Sequence, residues 1–501
     1  MAKKVLIIGA GIAGLSAGCY ARMNGYDVEI HEAHTAPGGL CTSWRRGDYV
    51  IDGCLHWLLG SAPGSGFYRL WEELGAIQGR EMVDHEVFSK VVGRDGRTLQ
   101  FYTDIDRLEA HLSELAPKDA PATGELCGLI RRLADVSAPI DKPAELMGPL
   151  DGIRMMARMR PYMKDLMDVG GMSLATLGER FSDPFLRSAI ANATFDGTMP
   201  AMALVMTLGP MSRRAAGYPL GGSLAFARAV EKRGLDLGAK IIYGSRVEKV
   251  LERNGRAVGV RLAGGGEISG DVVIAACDLR GALFSLLDGS RADPIHRELL
   301  ENGRLYSPVV QVMFGVDRDF SDDISCIGTA YERERPIELA GRRVSHFIVK
   351  NTCFDPSLAP AGKSVVGTMT PTDWSYWEPL LADRSAYAAE KERIAAVCRE
   401  EIERRYPGFA SKIEVTDVAT PYTFSRYTGN WKGTFMTWIL SGDFQRKHRF
   451  IPKTVPGLSG FYVASMWTSP PGGIPGAASA GRGVVQLLCH GDHRRFVAST
   501  P

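Results

Sequence analysis

The sequence has no uninterrupted apolar run long enough to cross a membrane. Such a span takes about 18 residues, and the apolar stretches here are shorter. The stretch nearest the N-terminus is rich in glycine, has no cleavage-like site and continues into a glycine motif, so we interpret it as a strand and not as a signal peptide. The sequence predicts a cytoplasmic protein, with peripheral contact as the closest approach to a membrane that it allows.

Paired cysteines and clusters of metal ligands are also missing. The chain has nine cysteines, an odd number, with no Cys-x-x-Cys pair and no zinc-finger spacing. This usage favours reduced thiols in a cytosolic protein. No His-Glu-x-x-His motif and no other metal-ligand cluster occurs in the sequence, so we expect no metal.

Neither sign of charge is in excess. The 59 Lys and Arg residues are balanced by 57 Asp and Glu residues, and a balanced chain has no overall field to hold a polyanion. We therefore expect no nucleic-acid partner. At 501 residues the chain exceeds what one hydrophobic core usually serves, so we expect two or three domains.

The first residues have the pattern of a βαβ unit. Val5–Ile8 is a short apolar run, as expected of a parallel strand buried on both faces. Ala13–Asn24 has the pattern of a helix that Gly25 ends, and Asp27–Glu32 that of a second strand. Strand, helix and strand within about 30 residues form one βαβ unit.

The loop inside this unit reads Gly9-Ala10-Gly11-Ile12-Ala13-Gly14, a dinucleotide-binding fingerprint in the context that makes the pattern strong. Gly9 permits the tight turn, Gly11 lets the backbone approach a pyrophosphate, and Gly14 lets helix and strand pack closely. The helix begins at Ile12 and Ala13, where unpaired N–H groups face the phosphate. These residues are candidate cofactor ligands.

Glu32 is placed to recognise a ribose. It ends the second predicted strand, 18 residues after Gly14, where a carboxylate accepts hydrogen bonds from ribose hydroxyls. A carboxylate there repels a 2′-phosphate, so the nucleotide is FAD or NAD and not NADP.

A second glycine pair follows in Pro37-Gly38-Gly39-Leu40. It resembles the extended fingerprint of the flavoproteins with two dinucleotide-binding domains, a superfamily that includes amine oxidases, phytoene desaturases and retinol saturases. The resemblance implies FAD as the cofactor, with Gly38, Gly39 and Leu40 continuing along it. Many amine oxidases have Arg after the glycine pair, where this chain has Leu40.

The C-terminal run Gly472-Gly473-Ile474-Pro475 precedes a predicted helix, Ala477–Leu488. A glycine pair before a helix lets backbone N–H groups approach a flavin ring. This run looks like the phytoene desaturase branch of the carotenoid oxidoreductases, and Tyr218–Ser223 resembles that branch too. The resemblance implies that Gly472, Gly473, Ile474 and Pro475 bind a non-covalent FAD and that Val247 meets its adenine.

The implied fold class is α/β. A Rossmann-like FAD-binding domain is expected from three discontinuous segments, 1–85, 217–295 and 455–493. An α+β substrate-binding domain of the amine oxidase or phytoene desaturase kind is expected between them, from 86–216 and 296–454, which carry most of the methionines, tryptophans and prolines. Residues 494–501 are a C-terminal tail.

His56 is the candidate for catalysis. It follows the predicted strand Tyr49–Ile51 in a loop that the superfamily brings close to the flavin, and retinol saturases resemble this chain in placing a His three residues after Gly53. An imidazole with a pKa near neutrality can protonate a carbon or orient a water. A core histidine bonded to a backbone carbonyl fits the pattern equally well, so both interpretations stay open.

Met155, Met159, Met163 and Met167 recur every four residues among arginines, in a stretch interrupted near Pro161. A methionine stripe is more often part of a core, which predicts a packed helix. The alternative is peripheral membrane contact through residues 153–168, where the arginines meet lipid headgroups.

The predicted activity is that of an FAD-dependent oxidoreductase acting on carbon–carbon bonds of an apolar isoprenoid, polyene or lipid substrate. Saturation, desaturation and redox-neutral isomerisation all fit, and the resemblance at His56 favours saturation or isomerisation. NAD(P)H, a quinone or oxygen is the electron partner. The alternatives are a flavin amine oxidase and a prenyl or lipid carrier of the Rab escort type, against which the intact glycine set argues.

Overall fold

The computed structural model describes residues 2–136, 140–195, 197–321, 323–440, 444, 447–448 and 450–501. Its strands are β1 Lys4–Ile8, β2 Asp27–His31, β3 Ser43–Arg46, β4 Tyr49–Asp52, β5 Met82–Val83, β6 Val87–Val92, β7 Thr98–Tyr102, β8 Tyr218–Pro219, β9 Lys240–Ile242, β10 Val247–Arg253, β11 Arg256–Leu262, β12 Glu267–Ser269, β13 Val272–Ala275, β14 Val309–Val316, β15 Gly328–Leu339, β16 Arg342–Asn351, β17 Ser364–Pro371, β18 Ile413–Ala419 and β19 Phe461–Val463.

Helices pack around these strands. They are α1 Ile12–Met23, α2 Tyr68–Glu73, α3 Ile105–Leu115, α4 Ala120–Leu133, α5 Pro149–Met159, α6 Met163–Val169, α7 Leu174–Gly178, α8 Pro184–Ala191, α9 Ala201–Ser212, α10 Gly222–Asp236, α11 Pro294–Asn302, α12 Trp374–Trp377, α13 Arg384–Arg405, α14 Pro421–Thr428 and α15 Gly473–Gly491.

A five-stranded parallel sheet has the order β19-β13-β1-β2-β9. Its strands come from the N-terminal, middle and C-terminal parts of the chain, and α1 packs against both α10 and α15. Val5, Leu6 and Ile7 of the central strand are fully buried, as expected for a parallel strand covered on both faces. The predicted α/β fold with a discontinuous Rossmann-like sheet is confirmed.

A three-stranded antiparallel sheet, β10-β11-β12, lies beside it. The turn between β10 and β11 has positive φ at both Asn254 (50°) and Gly255 (71°). Only residues that tolerate the left-handed region suit such a turn, and Asn-Gly is the preferred pair. The hairpin predicted from this dipeptide is therefore present.

The largest sheet has the order β18-β14-β17-β16-β15-β6-β7 and is antiparallel except where β15 pairs with β6. Its strands come from residues 87–102 and 309–419. Every residue of β14, the second strand from one edge, is buried, so this strand is covered on both faces. The predicted domain boundaries stay a prediction, because strand membership alone does not fix where one domain ends.

The methionine stretch departs from the packed helix that the sequence favoured. α5 ends at Met159, a 3₁₀ turn covers Arg160–Tyr162, and α6 starts at Met163. The interruption at Pro161 is as predicted, since proline cannot continue the helical hydrogen bonding. The predicted burial is not found, because α5 has no buried residue and Met167 of α6 is 69% exposed. Among the described residues α6 packs against α9, while Met155 and Met163 are 39% and 38% exposed, so the stripe is only partly covered.

None of the described helices is long and apolar enough to cross a membrane. All nine cysteines are described, and each is a free thiol, in agreement with the sequence interpretation. Among the described residues no group of His, Cys, Asp and Glu has the arrangement of a metal site.

The crossing of α1 and α15 gives a test of the packing. A Cβ atom at Gly481 would lie 2.4 Å from the carbonyl oxygen of Ala13 and 2.7 Å from the amide of Ala17. We expect Gly481→Ala to destabilise the protein by roughly 1 to 3 kcal/mol through overpacking, measured as a lower Tm. The matched control is Gly491→Ala in the same helix, where a Cβ meets nothing within 4 Å. Equal Tm values for the two variants would contradict the close crossing.

Candidate functional site

A cavity of about 630 Å³ lies at the carboxyl ends of β1, β2 and β13. Ligands of open α/β sheets bind at this edge, and the volume falls within the range of about 300–1,000 Å³ typical of small-molecule sites. Six of the predicted cofactor residues line it, namely Gly9, Gly11, Glu32, Gly39, Leu40 and Val247. The lining does not include the other predicted residues, which are Ile12, Ala13, Gly14, Gly38, His56, Gly472, Gly473, Ile474 and Pro475.

Glycine stands at the three positions of the first fingerprint for different reasons. Gly9 has φ +103°, and a Cβ at Gly14 would lie 1.9 Å from the Gly9 carbonyl oxygen. Both positions therefore require glycine for the fold itself. Gly11 has φ −66°, and a Cβ there would approach no atom closer than 3.8 Å. Nothing in the protein requires glycine at Gly11, so the space beside it is left for a ligand.

The second glycine pair closes onto the first fingerprint. The Gly38 amide donates to the Ala10 carbonyl at 2.9 Å, and Gly38 (φ +107°) and Gly39 (φ +62°) both have positive φ. A Cβ at Gly39 would lie 3.3 Å from the Gly11 Cα. The two loops thus form one glycine-walled surface along the cavity.

Glu32 is held in place by backbone amides. The strand β2 ends at His31, one residue earlier than predicted, and the Glu32 carboxylate accepts hydrogen bonds from the Ala10 amide at 2.6 Å and the His34 amide at 2.8 Å. Each carboxylate oxygen keeps further acceptor capacity. Glu32 therefore faces the cavity as a preorganised acceptor.

Two polar atoms on the cavity wall have no hydrogen-bond partner within the described residues: Trp44 Nε1 and Asp278 Oδ1. Burial raises the pKa of Asp278 to about 6. Buried polar groups are normally hydrogen-bonded, so these two atoms fit a ligand that offers hydroxyl or carbonyl groups. The donors, the glycine walls and the volume together suit a dinucleotide.

The C-terminal glycine pair lies elsewhere. Gly472 (φ +94°) and Gly473 (φ +69°) open α15, and a Cβ at Gly472 would lie 3.0 Å from the Thr437 side chain. Ile474 and Pro475 form the first turn of this helix, which starts four residues earlier than predicted. The structure places the pair beside Thr437 and not in the lining of the large cavity.

The His56 loop is held by buried hydrogen bonds to distant segments. The Asp52 carboxylate accepts from the Ser223 amide at 3.0 Å, the Cys54 amide at 3.2 Å and the Tyr218 hydroxyl at 3.2 Å. The Gln311 side-chain amide donates to the Asp52 carbonyl at 2.8 Å. These contacts fix the loop against α10 and β14.

His56 contacts a buried lysine. Lys350 Nζ lies 2.6 Å from His56 Nδ1, and Lys350 is only 7% exposed. Burial, and then the Lys350 charge, holds the pKa of His56 well below its usual value. Burial lowers the pKa of Lys350 to about 8. A hydrogen bond to the Leu55 backbone acts in the opposite direction and raises the pKa of the ring, so the interpretation of a core histidine bonded to a backbone carbonyl stays a prediction beside the catalytic one.

Aromatic rings connect His56 to a small second cavity of about 40 Å³. The ring centroids are 6.4 Å apart for His56 and Phe195, 6.0 Å for Phe195 and Phe435, and 6.4 Å for Phe435 and Tyr306. The last three line the cavity with Met199, Leu305 and Ile439. This side of the molecule suits an apolar ligand.

Sequence reasoning missed Lys350, Gln311, Asp278 and Trp44. Asp278 comes three residues after the buried strand β13, at the ligand edge of the sheet, and Lys350 follows the apolar run Phe347–Val349. An ionisable residue next to such a run is a signal of a buried functional group. Gln311 has no comparable signal, because its partner, the Asp52 carbonyl, is distant in sequence. Trp44 lies four residues after Leu40 of the second glycine segment.

The fold and the large cavity are those of a Rossmann-like protein whose main cavity is large enough for a dinucleotide. Comparison with protein families gives the more particular assignment. Residues 12–489 match the family of flavin containing amine oxidoreductases, and the chain belongs to this family. It is therefore a flavin-dependent oxidoreductase, and the carrier alternative is not supported.

Curated relatives place the chain near carotenoid enzymes. The zeta-carotene-forming phytoene desaturase of Myxococcus xanthus is 25% identical over 100% of this chain and 96% of its own length. The phytoene dehydrogenase of Streptomyces griseus is 27% identical over 95% of this chain and 93% of its own length. The chloroplastic prolycopene isomerase of Arabidopsis thaliana is 24% identical over 86% of this chain and 73% of its own length. The resemblance to the carotenoid branch is confirmed.

Solved structures share the fold. An oxidoreductase from Methanosarcina mazei has a TM-score of 0.63 and 19% identity, covering 96% of this chain and all of its own. The cyclohexylamine oxidase of Brevibacterium oxydans has a TM-score of 0.61 and 15% identity, and the match covers 99% of this chain and all of the oxidase. At these identities the likeness concerns the fold alone.

The glycine geometry predicts that a substitution at Gly11 impairs flavin binding without impairing folding. We expect Gly11→Val to lose the flavin while the flavin-free protein keeps the Tm of flavin-free wild type, because a Cβ there meets no protein atom closer than 3.8 Å but enters the cavity. The control is Gly264→Val, where nothing lies within 4 Å. Absorbance of the purified proteins measures occupancy, and full occupancy in Gly11→Val would refute the role.

Proposed function

We propose that the chain binds FAD without a covalent bond and adds, removes or shifts hydrogen at carbon–carbon bonds of an apolar polyene isoprenoid. When bound, the flavin supplies the hydride chemistry. The residues of this chain bind and orient the two molecules, exclude water and handle the proton. NAD(P)H, a quinone or oxygen serves as the electron partner.

FAD is favoured over other nucleotides by the length and chemistry of the cavity. It extends from Glu32 and Val247 past the paired glycines to Trp44 and Asp417, which is more than a nucleotide alone requires. The Glu32 carboxylate suits ribose hydroxyls and repels a 2′-phosphate. We assign the cofactor contacts to the predicted set lining this cavity, and we keep the C-terminal run as a proposal.

Non-covalent binding is supported by the nucleophiles at the cavity. Burial raises the pKa of the Cys277 thiol to about 12, so the reactive thiolate is absent near neutrality. Both ring nitrogens of His31 are occupied, by Ser245 at 2.8 Å and Glu29 at 2.9 Å. Neither side chain is free to attach to a flavin.

The observation that carries the substrate class is the aromatic cavity that Phe195 connects to His56. Among its described lining residues none is a carboxylate, and Arg304 is the charged one. Arg304 would repel a protonated amine, and the described lining residues offer it no carboxylate as counter-ion. The aromatic and aliphatic side chains around this small space suit contact with part of a polyene. The carotenoid desaturase and isomerase names of the relatives support the same class.

We assign the proton transfer to His56. The ring is partly exposed, and its Nδ1 atom is anchored by Lys350. A partly exposed imidazole with one anchored nitrogen is arranged to give or take a proton at a bound carbon.

Anaerobic flavin spectroscopy tests this function. We expect denaturation to release FAD, and flavin reduction or reoxidation to follow addition of phytoene, lycopene or another polyene and not of benzylamine or putrescine. His56→Ala should keep its flavin and slow turnover by roughly 10²- to 10⁴-fold. The control is His111→Ala, a histidine on α3 bonded to the Thr98 carbonyl at 3.2 Å, which should turn over as wild type does.

Two results would contradict the proposal. Flavin reduction by amines and not by polyenes would assign the chain to amine oxidation. A His56→Ala variant with a lower Tm and a wild-type turnover number in its folded fraction would remove His56 from the proton step and leave it a structural role.

We also propose that α5 and α6 contact a lipid surface. Leu150, Ile153, Met156 and Met167 are 64–69% exposed, while residues 153–168 hold four basic and two acidic side chains. Apolar and basic residues on one short helical stretch suit the interface of an anionic bilayer. α6 packs against α9, and Met199, just before α9, lines the aromatic cavity. An apolar substrate could therefore enter from the bilayer.

Vesicle co-sedimentation measures this contact. We expect wild type to bind vesicles of phosphatidylcholine with phosphatidylglycerol, and the double variant Ile153→Glu with Met156→Glu to bind at least about tenfold more weakly, because two exposed apolar side chains are lost from the interface. Leu235→Glu on α10, 48% exposed in wild type, should bind as wild type does. Equal binding by the double variant would refute the contact.

A further inference from the structure

Lys350 is a buried cation that has no salt bridge to any of the described residues. Its ammonium lies at the end of β16 with 7% exposure, and its only hydrogen-bond partner among the described residues is His56 Nδ1, at 2.6 Å. A buried charge without a partner carboxylate is costly. Such a group persists where it has a function, as perturbed ionisable groups cluster at functional sites.

The groups around Lys350 come from several elements. Asp52 and Cys54 lie at and after the end of β4, Cys326 lies before β15, and His85 lies before β6; each interacts electrostatically with Lys350. Asp52 is the acid among them, yet its carboxylate is taken up by Ser223, Cys54 and Tyr218. The ammonium is thus left to His56.

The direction of this hydrogen bond follows from elementary chemistry. An ammonium has three donors and no acceptor, so the His56 Nδ1 atom that it touches has to be the unprotonated, accepting nitrogen. The ring is neutral, because burial holds its pKa well below the usual value. A neutral imidazole has one N–H hydrogen, which is then on Nε2.

We propose that Lys350 is a positioning residue that fixes His56 as the Nε2–H tautomer and supplies the proton that His56 passes on. This inference rests on the proposed role of His56. While Lys350 is an ammonium, Nε2–H is presented as a donor toward the space next to Phe195, whose ring centroid is 6.4 Å from that of His56. His56 would touch the substrate, and Lys350 acts through it.

The proton step runs together with the hydride chemistry that the bound flavin would supply. As the Nε2–H bond breaks, the π pair of a polyene C=C bond forms the new C–H bond at one carbon, and the neighbouring carbon, left short of an electron pair, would take the hydride. At the same time one N–H bond of the Lys350 ammonium breaks and an Nδ1–H bond forms. The imidazole ends neutral as the opposite tautomer, and Lys350 ends as an amine that regains its proton from water. Run in reverse, the same pair removes a proton from carbon.

Nitrogen NMR of protein labelled with ¹⁵N in its histidine rings tests the tautomer without substrate or turnover. The His56 signals are assigned from the spectrum of His56→Gln. Since the Lys350 pKa is about 8, wild type should show Nδ1 unprotonated and Nε2 protonated below that pH. Both signals should shift with a midpoint near pH 8, as the ammonium is lost above it.

Three variants sharpen the test. Lys350→Met should abolish the transition near pH 8, and Lys350→Arg should move it out of the accessible range, because a guanidinium stays charged. Lys453→Met is the matched control: Lys453 is also buried, at 6% exposure, but is paired with Glu145 at 3.1 Å, so the His56 transition should be unchanged. With polyene substrates, Lys350→Met should slow turnover by about 10- to 10⁴-fold at unchanged flavin content.

Two outcomes would overturn the proposal. One is a wild-type spectrum with a protonated Nδ1 at neutral pH, which needs no variant and so does not depend on any of them folding. The other is a His56 transition near pH 8 that persists in Lys350→Met. If polyenes fail as substrates while the tautomer and its midpoint are as expected, the proposed function falls and the Lys350–His56 pairing stands.

Discussion

Close contact between α1 and the end of β1 is the constraint on which the cofactor side of this molecule depends. A Cβ at Gly14 would lie 1.9 Å from the Gly9 carbonyl oxygen and 3.1 Å from the Ala276 side chain. The helix can approach the sheet this closely only because Gly14 has no side chain. β1 pairs with β2 on one side and β13 on the other, so the same contact gathers segments from across the chain at one edge. The dinucleotide cavity opens there.

On the substrate side, distant segments meet through buried polar groups. The loop after β4 is held by Ser223, Gln311 and Lys350, which lie on three different elements. A protein that needed only stability would fill this region with apolar side chains, since buried charges without a partner carboxylate are costly. An ammonium beside an imidazole is what the proposed proton transfer requires, and the aromatic side chains next to it agree with the proposed polyene substrate.

The two sides together explain how one family serves both amines and polyenes. The cofactor side depends on glycine backbone and a ribose-binding carboxylate, which do not depend on the substrate. The substrate side depends on which side chains the large sheet presents. In this chain they include two phenylalanines, one methionine and one arginine at the small cavity. Under the proposed membrane contact, the exposed apolar face of α5 and α6 would give a substrate dissolved in lipid a route toward that cavity.

The sequence by itself determined the cofactor side, because the features involved are local. A buried strand, a glycine turn, a helix and an acid within about 30 residues form a βαβ unit whatever the rest of the chain does, and Asn254-Gly255 dictates its own hairpin. Burial was decided only by the tertiary structure. The stripe from Met155 to Met167 has the periodicity of a core helix, yet it is only partly covered. The partner of His56 was also beyond sequence reasoning, because β16 brings Lys350 to it across 294 residues, and no local pattern records which strand a loop will meet.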